Sequence, residues 1–266
     1  MQYQNIDVQA LAASELDLVA IDLSLDDYHR RFVTPAQRAM LQRKPDGSRR
    51  LILAYLSVGE TDVNRWYWPP KWREHPPEWV GPANPNWPGS RHVRYWHRQW
   101  QALVFRGPDS ILDVILDIGF DGIIVDRVDA YLDWEKERPK AKEEMTDLVA
   151  ALAAKARKRD PGFILLPQNA EHLLARPRFL KLIDAHNKES LLTGLRGEGV
   201  PNAPAEIDWS LGHLRRAQAA SIKTLATEYL SDPAAIESAR QRLLSLGLVP
   251  FFGVRALDRL PKPEDS

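Results

Sequence analysis

The sequence predicts an α/β fold, a single (β/α)8 TIM barrel over residues 1–266 with a long Trp/Pro-rich loop after its second strand. Three observations carry that expectation. Eight short apolar runs of strand length alternate with segments of helical pattern, as in parallel βα units. No Gly-x-Gly-x-x-Gly or phosphate-cradling loop follows any run, so a nucleotide-binding open sheet fits less well than a barrel. Several runs end in a carboxylate, and the C-terminal strand ends of a barrel are where sites are assembled.

The first strand is Leu18–Ile21, closing on Asp22. Residues 34–42 read as a helix, with Thr34 as N-cap and Pro35 at the first helical position. Residues 51–58 form the second strand and lead to Gly59 and Glu60; a glycine there lets another backbone or a ligand come close. Five of the nine tryptophans and seven of the twenty prolines then fall between residues 66 and 88, which makes a stiff loop too apolar to be disordered. Indole faces suit sugar rings. Most of Trp66, Trp68, Trp72, Trp79 and Trp87 are nevertheless expected to pack the loop onto the barrel, leaving one or two toward the cleft.

Residues 93–96 are the expected third strand, ending in Trp96, and residues 97–104 and 110–118 read as helical. The fourth strand, residues 123–125, is wholly β-branched, too short for a helix, and stops abruptly at Asp126. Residues 140–159 make an amphipathic helix that Pro161-Gly162 ends. The fifth strand, residues 163–166, leads to Gln168-Asn169, and the sixth, residues 179–185, leads to His186-Asn187-Lys188-Glu189. Residues 221–228 are the seventh strand, residues 233–246 a helix that Gly247 stops, and residues 248–252 the eighth strand.

Composition narrows the function. Lysine plus arginine balance aspartate plus glutamate at 36 each, so no global field favours nucleic acid or an anionic membrane. No run approaches the roughly 18 apolar residues that span a bilayer. The chain has no cysteine, which removes disulfides, thiolate metal sites and cysteine nucleophiles together.

The strand ends gather Asp22, Glu60, Trp96, Asp126, Asn169, Glu189 and Glu228 on one acidic face. An acid where a buried strand emerges is costly to keep there, which makes Asp126 the first catalytic candidate. Two carboxylates across a cleft, one protonated and one ionised, are the equipment of glycosidic bond cleavage, and surplus acid suits a cationic amino sugar. Asp129 is a weaker candidate, since residues in that loop more often form turns. His186 stands alone near a strand end without HxH or HExxH spacing, so no zinc site is expected, and no Gly-x-Ser-x-Gly elbow is present. No cofactor or metal is expected. Two alternatives stay open: a carbohydrate-binding barrel without catalysis, and a magnesium-dependent hydrolase, whose carboxylate-only site leaves little sequence signature.

The opening Tyr3-Gln4-Asn5-Ile6-Asp7, the strand 18–22, Ala54-Tyr55-Leu56-Ser57-Val58-Gly59-Glu60, Asn84-Pro85 with Trp87, Val93-Arg94-Tyr95-Trp96, the stretch 119–126, Gln168-Asn169 and Lys188-Glu189 together resemble the endo-α-1,4-polygalactosaminidase type of glycoside hydrolase, family 114. The resemblance runs from near the first residue to the last strand. It implies an endo-acting (β/α)8 hydrolase of α-1,4-linked galactosamine-containing polysaccharide, extracellular or periplasmic, with a leader peptide preceding this sequence. The family's aspartate after the fourth strand corresponds to Asp126, as nucleophile or stabilising carboxylate. Its glutamate corresponds to Glu189, as acid/base, with Glu171 the alternative. Asp22, Tyr55, Glu60, Arg65, Trp96, Asn169 and Glu228 would then shape the sugar subsite.

Overall fold

A computed structural model describes residues 1–26 and 30–260. Among these described residues ten strands are formed: β1 (Leu18–Ile21), β2 (Leu51–Ser57), β3 (Glu60–Asp62), β4 (Val80–Ala83), β5 (Ser90–Val93), β6 (Gly122–Asp126), β7 (Ile164–Pro167), β8 (Ala185–Glu189), β9 (Lys223–Glu228) and β10 (Val249–Phe252). Seven of them are parallel neighbours, in the orders β1-β2-β6-β7 and β8-β9-β10. A parallel bridge between Gln168 and Asn187 joins the two groups. At the other side the N-terminal segment supplies the link. Gln2 N donates to Ala20 O at 3.0 Å and Tyr3 N to Leu257 O at 2.7 Å, so residues 2–3 stand where an eighth stave is needed.

Strand alternation splits the apolar side chains into two cores. Ala20, Leu53, Ile124, Leu166 and Ala185 fill the barrel interior together with Tyr3 and Tyr55. Val19, Ile21, Ile52, Ala54, Ile123, Val125 and Leu165 face outward into the larger core beneath the helices. Gly122 is required by close approach: a Cβ there would lie 2.3 Å from Ile164 O across the β6–β7 pair. The helices obey their caps. Thr34 and Ser110 each form a capping box at the starts of Pro35–Leu41 and Ile111–Ile118.

Two expected strands are corrected. Residues 93–96 are not a barrel stave: Val93 ends β5, which pairs antiparallel with β3 and β4 in a small side sheet built by the Trp-rich loop itself. Phe179 lies in a one-turn helix, Pro177–Leu180, because Pro177 at its first position favours helix initiation; the sixth strand is displaced to Ala185–Glu189. The helices Val8–Ala13, capped by Asp7, and Pro204–Ala219 were not foreseen. Among the described residues no helix is long and apolar enough to cross a membrane.

The Trp-rich loop is ordered by aromatic packing. Trp68, Trp72 and Trp79 meet edge to face at 5.3 to 6.2 Å, and Trp79 rests on Trp100 at 4.8 Å. Trp66 and Trp87 remain on the wall of the barrel mouth.

Candidate active site

A cavity of about 440 Å³ opens at the C-terminal ends of the parallel strands, within the size range of small-ligand sites. It brings together Asp22, Tyr55, Glu60, Arg65, Asp126, Asn169 and Glu189. Six lining residues are acidic (Asp22, Glu60, Asp62, Asp126, Asp129 and Glu189) against three arginines (Arg65, Arg127 and Arg255), so the mouth carries surplus negative charge.

The strand ends share a backbone device. Arg127 follows Asp126 with φ +56°, Asn169 and Ala170 follow Gln168 with φ +58° and +59°, and Ser190 follows Glu189 with φ +56°. Left-handed backbone at non-glycine residues is costly and recurs at functional sites. Here it turns the chain sharply at three consecutive staves. Gly59 makes room for the first of these turns, since a Cβ there would lie 2.5 Å from Arg127 O and 2.3 Å from the Ala130 side chain.

Asp126 and Glu189 are joined through one amide. Gln168 Nε2 donates to Asp126 Oδ1 at 3.4 Å and to Glu189 Oε2 at 3.2 Å. Asn187 Nδ2 donates to Gln168 Oε1 at 3.1 Å, and Thr227 Oγ1 to Asn187 Oδ1 at 3.1 Å. This relay across β7, β8 and β9 fixes which way the Gln168 amide faces. Asp126 also accepts from Tyr55 Oη at 2.7 Å and Arg127 N at 2.8 Å. Glu189 accepts from the Tyr229 hydroxyl and from Asn169 Nδ2 at 3.4 Å.

Burial pushes the Asp126 carboxyl above its ordinary value, and the Glu189 charge adds to the rise; the Tyr55 and Arg127 donors oppose both. Tyr55→Phe is therefore expected to move the acidic limb of the kcat/KM profile to higher pH. The ionised form loses a donor, and a stronger base is harder to keep deprotonated. Turnover is expected to fall roughly tenfold or more, the worth of a hydrogen bond to a charged group. The ring itself keeps its stacking on Tyr3, 4.3 Å away. A pH–rate series on both proteins measures the shift, and coincident acidic limbs would contradict it.

The other expected residues divide. Asp22 is fully buried, ion-paired with Arg65 and bonded to Ser24 N at 2.9 Å, while the Arg65 guanidinium stands over the Tyr55 ring at 5.4 Å. Glu60 accepts from Asn84 Nδ2 at 2.8 Å and lies 3.0 Å from Arg127 Nε. Asp129 lines the cavity 3.5 Å from Arg127 Nη1, and burial raises its carboxyl. Glu171 does not line this cavity. It pairs with Lys188 at 3.2 Å and accepts from Ser210 Oγ at 2.9 Å; burial raises its carboxyl, but these partners bring it below its ordinary value.

Trp96 and Glu228 also stand apart from the cavity. Trp96 packs against Tyr95 and Trp134 at 5.1 and 5.3 Å beneath the Arg138 guanidinium, a consequence of the missing third stave. Glu228 is wholly buried and accepts from Leu192 N at 2.7 Å, Thr193 N at 3.1 Å and Thr193 Oγ1 at 2.9 Å. It anchors the loop after β8. Glu228→Ala strands three buried donors at about 1–3 kcal/mol each and is expected to lower unfolding stability by about 3 kcal/mol or more. Urea denaturation measures it; a loss under about 1 kcal/mol would contradict this role.

Gln168, Asn187, Tyr229 and Tyr3 are site components that the strand-end reading missed. Side chains alternate along a strand, so the residue after Glu228 is the one that faces the cavity. His186 is buried, its Nε2 lies 2.7 Å from Asn169 O, and burial lowers its pKa to about 4. A neutral ring there donates to the Asn169 carbonyl and supports the turn. Among the described residues no three of His, Cys, Asp and Glu converge in a metal-holding group.

Known proteins of similar sequence and shape place the chain. An uncharacterized protein of Deinococcus radiodurans is 34% identical over 258 residues, covering 97% of this chain and 79% of that protein. An uncharacterized protein of Thermotoga maritima is 32% identical over 177 residues, 65% of this chain, and the match accounts for about half (52%) of that protein's length. The glycoside hydrolase domain of PelA from Pseudomonas aeruginosa superimposes with a TM-score of 0.73 at 22% identity, covering 97% of this chain and 95% of that domain. Such a likeness establishes the TIM-barrel fold. The sequence model of one family matches residues 3–196, well over half of the chain, and on that match the chain belongs to glycoside-hydrolase family GH114.

Proposed function

We propose that the protein is an endo-acting, retaining hydrolase of an α-1,4-linked galactosamine-containing polysaccharide, with Asp126 as nucleophile and Glu189 as acid/base. The observation that carries this reading is the single Gln168 amide bonded to both carboxylates. Held by one nitrogen at 3.4 and 3.2 Å, the two oxygens lie less than about 6.6 Å apart. Such closeness suits the roughly 5–5.5 Å of retaining glycosidases better than the roughly 6.5–9.5 Å of inverting ones.

In the first step Asp126 attacks the anomeric carbon while Glu189 gives its proton to the departing glycosidic oxygen. A glycosyl ester on Asp126 results, with inverted configuration. In the second step Glu189 takes a proton from water, the water oxygen attacks the same carbon, and the Asp126 carboxylate leaves. Two inversions return the original anomer. The Tyr55 hydroxyl and Arg127 N–H hold Asp126 ionised against its burial, and the acidic surplus of the mouth favours a protonated amino sugar. The reading carries with it an extracellular or periplasmic setting, where such a polysaccharide would be met.

Incubation with galactosamine, N-acetylgalactosamine and galactose polymers, with released oligosaccharides read by mass spectrometry, tests the substrate. Oligomers from the amino-sugar polymers are expected. Cleavage confined to the galactose polymer, or none, would overturn the substrate assignment.

A further inference from the structure

A second cavity, of about 720 Å³, adjoins the first and shares Trp87, Asp129, Asn169, Glu189 and Arg255 with it. The two form one cleft. Asp126 and Gln168 border only the first part, whereas Glu189 borders both.

Exposed apolar surface concentrates in this second part. Among the described residues eight large hydrophobic side chains are exposed, and four of them, Trp87, Leu132, Leu195 and Trp209, line it. The only two exposed tryptophans are both in that group, each 43% accessible. An indole left in water forgoes its burial energy, so two beside one carboxylate call for a function.

Trp209 is also held in place. It lies on the helix Pro204–Ala219, one turn before His213, and its ring meets those of His172 and His213 at 4.7 Å each. Burial, then Lys142, lowers the His172 pKa, and burial, then His172, lowers that of His213, which favours the uncharged form of both rings. The acids of this cavity are largely spoken for, Glu171 by Lys188 and Glu206 by Arg196 at 2.8 Å. Stacking, rather than charge, is what this end of the cleft offers a ligand.

We propose that the second cavity is a distal sugar-binding site on the leaving-group side, in which a pyranose unit of the polymer stacks on Trp209. The assignment of side follows from the carboxylates and rests on the roles proposed above. The sugar attacked by Asp126 sits in the first cavity, the scissile bond passes Glu189, and the departing chain continues over Trp209. The cleft thereby grips units on both sides of the broken bond, which is what cutting within a chain requires.

The test measures binding of α-1,4-galactosamine oligomers of increasing length, partly N-acetylated, to Asp126→Asn protein with and without Trp209→Ala. Affinity is expected to grow with length, and Trp209→Ala is expected to remove about five- to tenfold of that growth, the worth of an aromatic stack. Trp209→Phe keeps a ring and is expected to retain most of it. Identical length dependence with and without the indole would overturn the distal site while leaving the carboxylate reading intact. Absence of binding to any oligomer would overturn the substrate assignment, and the distal site with it.

Discussion

Asp126→Asn is expected to lower kcat/KM on the cleaved polymer by at least about 10³-fold, the scale on which positioned catalytic groups act. The amide lacks the charge to attack or to stabilise the anomeric carbon. The same substitution is expected to leave the fold as stable as before or more so at neutral pH. Burial and the neighbouring Glu189 raise the Asp126 pKa in the folded chain, so ionising it there opposes folding. That penalty is absent below the ordinary carboxyl range and grows as pH rises from there. It is complete once pH exceeds the raised folded value. Thermal melts of wild type and Asp126→Asn are thus expected to converge at low pH and to separate, with the variant higher, toward pH 7. A variant that loses both activity and stability at pH 7 would make Asp126 a structural residue.

Glu189→Gln is expected to cost about 10²–10⁴-fold on the polymer, the range for a lost general acid. The loss is expected to shrink on a glycosyl fluoride, whose leaving group departs without a proton. The first step then proceeds, the ester on Asp126 accumulates, and added azide speeds turnover by attacking it. An equal loss on polymer and fluoride would remove Glu189 from proton transfer. Glu171→Gln is the control for the chemistry: its carboxylate is paired with Lys188 and lines the second cavity rather than the first, so no azide rescue on the fluoride is expected of it.

The residues that sequence alone placed are those whose signal is local. A β-branched run stopping at Asp126, a glycine before Glu60 and a polar pair after the fifth run each announce a strand end within a few residues, whereas the polar cluster 186–189 is itself the sixth strand. What escaped is set by contacts between distant segments. Gln168 reads as an ordinary polar residue until β8 and β9 orient its amide through Asn187 and Thr227. Glu228 and Tyr229 differ by one position, and the phase of β9 decides which of them meets the cavity. The 93–96 run has strand composition, yet the tryptophan loop claims its first residue for a side sheet, so β2 pairs directly with β6, and residues 2–3 close the barrel elsewhere, between β1 and the segment after β10. The left-handed turns at Arg127, Ala170 and Ser190 carry no glycine, so sequence gives no sign of them.

The most direct measurement is to trap the intermediate with a fluorinated galactosaminyl fluoride that slows the second step, digest the protein and locate the added mass. A sugar ester on the peptide containing Asp126, with first-formed product of unchanged anomeric configuration, is the expected result. An unlabelled protein releasing product of inverted configuration, or a label on another carboxylate, would contradict the account.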